Sequence, residues 1–320
     1  MSDGIYFDNN ATTFLDPDVR KIMIEILNED IANPSSAHTP GRKAHAHLNK
    51  ARREVASFLG VKTSEIVFTS GGTEGLNMVI RGIMRRDTHG HIITSDGEHA
   101  AVQNTVKDLE RDGYDVTRLS IGKSGAVTAE AVRGAIRDDT KVIALMAVNN
   151  ETGIKTDIEA VAAVAQEKGI PFIVDAVALM GKELFTIPEG VTALCISGHK
   201  FHAPKGVGAV FLRATTKMSA MIFGGEQEYH MRGGTENVVG IIGLGEACRQ
   251  LRECLPEASE RMARLRDMLE EGIATRIPNA VVHKGSGERV VNTTNIAFPG
   301  VQGETLLIKL DQEGLAVSHG

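Results

Sequence analysis

Five short apolar runs in this chain each end in residues able to bind or react. Ile66–Phe68 leads into Thr69-Ser70-Gly71-Gly72-Thr73-Glu74, His91–Ser95 into Glu98-His99, and Val142–Val148 into Asn149-Asn150-Glu151. Phe172–Val174 ends in Asp175, and Ala193–Ile196 runs into Ser197-Gly198-His199-Lys200. Lys200 is the sharpest of these groups. A lysine in a tight turn beside Ser, Gly and His is poorly explained as a solvated surface charge, and a Schiff base to a carbonyl compound is its natural chemistry. Asp175 closes an apolar run and is a candidate buried carboxylate, which would be costly to bury without a partner. A protonated pyridine nitrogen would be such a partner; a helix N-cap is the plain alternative. The Ser-Gly-Gly-Thr-Glu segment could offer backbone N–H groups to a phosphate, because glycine lets the backbone come close and a helix start attracts anions. It is neither GxxxxGK[ST] nor GxGxxG, and an ordinary strand–helix connection is its alternative. His99 suits stacking on a ring or moving a proton, although a lone histidine is more commonly a satisfied surface or core residue. Cys195, Cys248 and Cys254 read as small buried hydrophobes rather than nucleophiles.

These groups can act together only if the runs before them are strands pointing the same way. Candidate strands are Ile66–Thr69, His91–Ser95, Val116–Ser120, Val142–Val148, Phe172–Asp175, Ala193–Ser197 and Gly208–Leu212, with helical patterns such as Gly75–Ile83, Ala101–Asp112 and Ile158–Lys168 between them. Strand–helix alternation predicts an α/β domain with a mostly parallel sheet. In such a sheet ligands bind beyond the carboxyl ends of the strands, so the five polar groups should share one rim. Only ten residues separate Ser197 from Gly208. A parallel crossover needs more, so Gly208–Leu212 should run antiparallel, with Lys200 in the tight connection. After Asn237 the texture changes. Val238–Leu255 and Ala258–Arg276 read as two long helices, Val291–Phe298 as a strand, Glu304–Gln312 as a helix and Leu315–Ser318 as a strand. The expected division is a large α/β domain over residues 14–249 and a small α+β domain from residues 1–13 and 250–320.

The bulk numbers fit this picture. The chain has 320 residues, 42% hydrophobic and 24% charged, which is ordinary globular composition. Its formal net charge of −6 lacks the basic footprint of a nucleic-acid binder. Three cysteines with no close pair argue against structural disulfides or zinc and for a reducing, cytoplasmic setting. The N-terminus has no signal-peptide pattern, and no stretch approaches the ~18 apolar residues of a membrane span. No metal site is expected.

The segment Ser197–Gly206, reading SGHKFHAPKG, resembles the cofactor-lysine motif of cysteine desulfurases, which are class-V, fold-type-I enzymes dependent on pyridoxal 5'-phosphate. Asp8–Thr13, Asn33–Ser36, Thr69–Asn77, Glu98-His99, Val148–Gly153, Val174–Ala176 and Arg232–Asn237 also match, so the resemblance covers Tyr6 to Gly320. It implies a fold-type-I PLP-transferase architecture, with helices on both faces of a seven-stranded sheet. Lys200 would carry the cofactor and move the Cα proton. Asp175 would pair with the pyridine nitrogen, and His99 would stack on the ring and assist proton transfer. Gly72 (through its backbone), Thr73, Ser197 and His199 would hold the phosphate. Thr235 would reach that phosphate from the partner subunit of a homodimer, and Asn150 would contact substrate or cofactor near the ring oxygen. The implied reaction converts L-cysteine to L-alanine, with sulfur passing to a protein cysteine as a persulfide and onward to a sulfur acceptor or iron–sulfur scaffold protein.

The chain departs from the family pattern twice. Where the family has Asp-Ala-x-Gln, this chain reads Asp175-Ala176-Val177-Ala178, so the hydrogen bond from that Gln to the cofactor's phenolic oxygen is missing. The family's sulfur-accepting cysteine lies on a loop just beyond the strand that corresponds to Leu315–Ser318, in a Gly-Ser-x-Cys context, followed later by the arginine for the substrate carboxylate. The sequence stops at Gly320, before either. It is therefore expected to be a fragment of a longer enzyme that binds cofactor without completing persulfide formation. Two other readings stand beside the desulfurase: a selenocysteine lyase or other class-V aminotransferase-type enzyme, and a non-catalytic cofactor-binding scaffold.

Overall fold

The structure is a computed structural model that describes residues 4–319. Residues 1–3 of the expected small domain and the terminal Gly320 lie outside the described residues. In chain order the elements are β1 (Ile5–Tyr6), α1 (Pro17–Leu27), α2 (Thr39–Leu59), β2 (Ile66–Thr69), α3 (Gly72–Met84), β3 (His91–Ser95), α4 (Ala100–Arg111), β4 (Asp115–Leu119), α5 (Ala129–Ala135) and β5 (Thr140–Met146). They continue as α6 (Ile158–Lys168), β6 (Phe172–Asp175), β7 (Val191–Ser197), β8 (Gly208–Leu212), α7 (Val238–Arg276), β9 (Val281–Val282), β10 (Ile296–Ala297), α8 (Gly303–Gln312) and β11 (Leu315–Ala316).

A seven-stranded sheet with the order β2-β8-β7-β6-β5-β3-β4 forms the centre. β8 pairs antiparallel with both β7 and β2, and every other pairing is parallel. Two reversals cancel, so β2 points the same way as β7. The carboxyl ends of β2, β3, β5, β6 and β7 therefore lie on one edge, as the strand-end residues require. Alternate residues feed opposite faces. Phe68, Ile93, Ile143 and Leu145 pack with α2, α6 and α7 on one side. Val67, Ile92, Val142 and Ala144 pack with α3 and α4 on the other. Both faces are thus buried, which explains why the central strands read as continuous apolar runs.

Local chemistry sets the helix limits. Asp16 Oδ1 accepts from the Asp18 and Val19 N–H groups, and Pro17 opens α1. Asp157 caps α6, which stops at Gly169 in the left-handed region (φ 65°).

Four expectations about elements and burial need correction. The two helices expected after Asn237 are one 39-residue helix, α7, with Pro256 inside it. A proline removes one backbone bond and tends to kink a helix without having to end it. Here Leu251 and Leu255 are buried just before it, and the register continues through it. The boundary drawn at residues 249/250 lies inside this helix. The strand expected over Val291–Phe298 shrinks to β10. Its first part is taken up elsewhere: Asn292 Nδ2 donates to Asn10 Oδ1 at 3.1 Å, and Asn10 Nδ2 donates to Thr293 Oγ1 at 3.0 Å. The last strand likewise ends at Ala316. Finally, Cys254 is exposed, unlike Cys195 and Cys248. It lies off the stripe of Cys248, Leu251 and Leu255 that α7 buries. At the other end of the chain, β1 joins β11 in a parallel two-stranded sheet.

Candidate active site

Lys200 ends a short 3-10 turn, Gly198–Lys200, directly after β7. The turn is pinned from two sides. The Thr13 N–H and hydroxyl both donate to the His199 carbonyl, at 2.8 and 2.9 Å. Lys182 Nζ donates to the Lys200 carbonyl at 3.0 Å. With its main chain held, the Lys200 side chain reaches over the rim to the Ala11 carbonyl at 3.1 Å and to the Asn10 carbonyl. Burial lowers its pKa, against the opposing pull of Asp175 and Asp8. A lysine so placed yields its proton more readily than one on the surface.

Asp175 ends β6 in the middle of the sheet and is buried. Oδ1 accepts from the Val177 N–H at 3.0 Å in the turn that follows, so the carboxylate is no helix cap. Burial raises its pKa; the Val177 N–H and the charges of His99 and Lys200 oppose this. Such a carboxylate suits a cation arriving from the rim. His99 is exposed at the start of α4, where its Nδ1 accepts the Ala101 N–H at 3.1 Å. That bond fixes the ring's orientation.

Beyond Lys200, a cavity of about 360 Å³ opens between Gly71, Gly72, Thr73, Ser197, His199 and Lys205. Its floor is the start of α3, where Gly71 (φ 154°) is the N-cap and no side chain caps the helix. A Cβ on Gly72 would meet Val177 Cγ2 at 2.5 Å, so only glycine allows the turn after Asp175 to close on the helix start. Bare N–H groups, two hydroxyls and Lys205 suit a phosphate dianion. Glu74 also lines the cavity, but its charge is answered by Arg232 at 3.0 Å. Burial would raise the Glu74 pKa, and the donors Arg232 and Ser70 outweigh it, leaving the pKa low. His199 shares a hydrogen bond with Thr12 Oγ1 through Nδ1 at 3.1 Å. Burial, then Lys200 and Lys205, shift His199 toward the neutral form. A phosphate pocket beside a buried carboxylate and a desolvated lysine fits pyridoxal 5'-phosphate in each of its three polar parts.

The remaining predicted residues divide. Asn150 sits at the rim, where its carbonyl accepts from Asn10 Nδ2 at 3.2 Å. Thr235 is exposed and does not line the cavity within one chain. Its segment is anchored by the Arg232–Glu74 pair and by the Gly234 N–H donating to Gln227 Oε1 at 3.2 Å. Ala178 packs against the core beside Val177 and offers no side-chain donor. Restoring a donor with Ala178→Gln is expected to shift the visible absorption of the bound cofactor and change its affinity little, since one hydrogen bond is worth about 0.5–1.5 kcal/mol. An unchanged spectrum would mean that another group already contacts the phenolic oxygen. Cys195 and Cys248 are buried, with burial pushing both thiols up. None of the three cysteines lines the cavity.

Sequence reading missed several residues here. Lys205 lies in the quoted lysine motif but was not separated from it. Lys182 and the Arg52–Glu228 pair left no local signal, because each gains its meaning from a contact distant in sequence. Among the described residues there is no cluster of potential metal ligands and no helix long and apolar enough to cross a membrane.

Known proteins with this arrangement are readily found. A cysteine desulfurase of Nostoc sp. (strain PCC 7120) is 41% identical over 318 residues, spanning 99% of this chain and 80% of the relative. A cysteine desulfurase IscS of Methanosarcina thermophila is 39% identical, covering 99% of this chain and 79% of its own. The solved structure of a NifS-like protein superposes with a TM-score of 0.95 at 37% identity, covering 99% of this chain and 88% of that one. A structure described as SspA in complex with cysteine matches with a TM-score of 0.87 at 34% identity, covering 98% and 89%. The family model for class-V aminotransferases matches residues 5–320, and its members use pyridoxal 5'-phosphate. Sheet, rim and relatives agree, and the chain belongs to the class-V aminotransferase family, on its cysteine desulfurase branch.

Proposed function

We propose that the protein is a pyridoxal-phosphate-dependent cysteine desulfurase, which takes sulfur from L-cysteine, leaves L-alanine and passes the sulfur to a cysteine thiol as a persulfide. The observation that carries this reading is Lys200, held over the buried Asp175 and beside a phosphate-sized cavity on one sheet edge. When bound, the cofactor supplies an electron sink for the charge left as the substrate's Cα proton departs.

The chain's own residues do the rest. Lys200 carries the cofactor and moves the Cα proton, helped by a pKa already lowered by burial. Asp175 would present its carboxylate to the cofactor's ring nitrogen and keep it protonated. His99, its ring fixed by the Ala101 N–H, would stack on the cofactor and assist proton transfer. Gly72, Thr73, Ser197 and His199 would hold the phosphate, and Asn150 would contact the substrate or cofactor near the ring oxygen. Thr235 reaches the phosphate of a partner subunit, which makes the functional unit a homodimer. Residues 14–249 form the cofactor domain in this reading, with 1–13 and 250–320 as the small domain; the β1–β11 pairing supports joining the two ends. The buried Cys195 and Cys248, and Cys254 on the outer side of α7, leave the sulfur-accepting thiol to another cysteine. A cytoplasmic setting and a role in supplying iron–sulfur assembly or thiolation go with the reading.

The test is the visible spectrum of the protein with pyridoxal 5'-phosphate, before and after L-cysteine, with product analysis. A yellow band that changes on adding L-cysteine is expected, with alanine formed only when a sulfur-accepting thiol is supplied. A keto acid in place of alanine would point to aminotransferase chemistry, and no band would remove the cofactor assignment.

A further inference from the structure

Glu98 precedes His99 and has no part in the mechanism above, yet it is one of the few buried carboxylates in the molecule. Its Oε1 lies 2.6 Å from Ser95 Oγ, at the end of β3. Oε2 is fully enclosed and has no hydrogen-bond partner. An ionised carboxylate with one oxygen enclosed and unpartnered is an expensive arrangement. A second buried carboxylate, Asp175, sits in the same compartment and acts on Glu98 through its charge. The two differ in their surroundings. Asp175 has a backbone donor in Val177 and the cations Lys200 and His99 nearby. Glu98 has the Ser95 hydroxyl and the Met146 backbone N–H, with no lysine or arginine acting on it. Two like charges in one desolvated pocket do not both persist, and the proton goes to the carboxyl with the weaker support.

We propose that Glu98 is a positioning residue which stays un-ionised at neutral pH, so that Asp175 alone carries the negative charge that meets the cofactor's ring nitrogen. This rests on the cofactor reading given above. The pKa of Glu98 is pushed up to about 8, chiefly by burial; the Ser95 hydroxyl and the Met146 backbone N–H oppose the shift and the charge of Asp175 adds to it. A neutral Glu98 keeps the attraction for the ring cation at one place, at the end of β6. An ionised Glu98 would add a second negative charge acting on Asp175. Raising the pH through the Glu98 pKa should therefore change the environment of the ring nitrogen.

The experiment is infrared difference spectroscopy on the protein loaded with pyridoxal 5'-phosphate, wild type against Glu98→Gln, on either side of pH 8. Below that pH the wild type should show the carbonyl stretch of an un-ionised carboxylic acid, lost in Glu98→Gln. Above it the band should give way to carboxylate. Absence of the acid band at neutral pH overturns the proposal. Carbon-13 labelling of glutamate shifts the same band in the unsubstituted protein, so the result does not hang on how the variant folds. Glu98→Gln should also keep its cofactor affinity, whereas a weakening of about tenfold or more would mean that the site needs a charge at this position. In Asp175→Asn the acid-to-carboxylate change should move to lower pH; an unmoved transition overturns the coupling. Cofactor affinity of Asp175→Asn reports separately on the site reading, since an unchanged value would remove Asp175 as the ring partner.

Discussion

Lys200→Ala is expected to remove the visible cofactor band and to slow exchange of the L-cysteine Cα proton with solvent deuterium by at least about 10³-fold, the scale of a lost acid–base group. The loss should be this deep because neither neighbouring amine can take its place. Lys205 faces the phosphate cavity. Lys182 has a pKa brought down to about 8 by burial and by the charge of Lys200. Its Nζ, however, is committed to the Lys200 carbonyl behind the turn and is almost enclosed. Removing the Lys200 side chain leaves that bond intact, so the turn should hold its shape while the rim is emptied. Two controls sharpen the expectation. Lys200→Arg keeps the charge but lacks an amine that can lose its proton, and it should be as inactive as the alanine variant. A small added amine should restore part of the proton transfer to Lys200→Ala and none to Lys200→Arg. A Lys200→Ala variant that kept the band would show that the cofactor is held by another group.

Glu228→Ala should produce the largest loss of stability, about 3–5 kcal/mol, because it strands a buried cation. Arg52 meets Glu228 in a two-pronged pair, with Nη2–Oε1 at 2.7 Å and Nη1–Oε2 at 2.9 Å. Glu228 Oε2 also takes the Phe68 N–H at 2.8 Å, and Arg52 lies over the Phe68 ring with its Cζ 4.6 Å from the centroid. The pair therefore joins α2, β2 and the loop before α7. That loop is strained: Glu228, Tyr229 and His230 all have positive φ, at 44°, 58° and 63°. Each such residue costs of order 1–3 kcal/mol and persists only when its surroundings hold it. Without the Glu228 carboxylate the loop can relax, and with it the Arg232–Glu74 pair at the cavity wall. A urea titration followed by circular dichroism measures the effect. Arg52→Met combined with Glu228→Leu should recover part of the loss, since two apolar groups leave no bare charge. A Glu228→Ala midpoint equal to that of the parent would show that the pair contributes nothing.

The central sheet and the catalytic rim could be read from sequence because they depend on local pattern. An apolar run buried on both faces, followed by a polar group, carries its own meaning, and this placed Asp175, Lys200 and the α3 start on one edge. The short Ser197–Gly208 connection even revealed that β8 reverses. What escaped was set by contacts across the fold. Pro256 looked like a helix end because its effect was judged without the buried Leu251 and Leu255 on which α7 rests. Residues 291–293 looked like strand because their ties to Asn10, some 280 positions away, leave no trace in composition. Glu98 gave no hint of being buried beside a second carboxylate. Thr235 stays outside the single-chain cavity, so its proposed role came from family pattern and not from its neighbours in sequence.

The unbroken course of α7 has a mechanical consequence. Thirty-nine residues at about 1.5 Å each make a rod of nearly 60 Å. Its first half packs on α1 and α2, and its second half runs out to β9. No linker separates the two parts of the molecule along this path, which joins them through continuous helix. Pro256 leaves the Arg252 carbonyl without its usual donor, which makes that turn the softest point of the rod. Flexing of the outer part against the sheet is thereby concentrated at a single turn of helix, and the rim around Lys200 is spared the distortion.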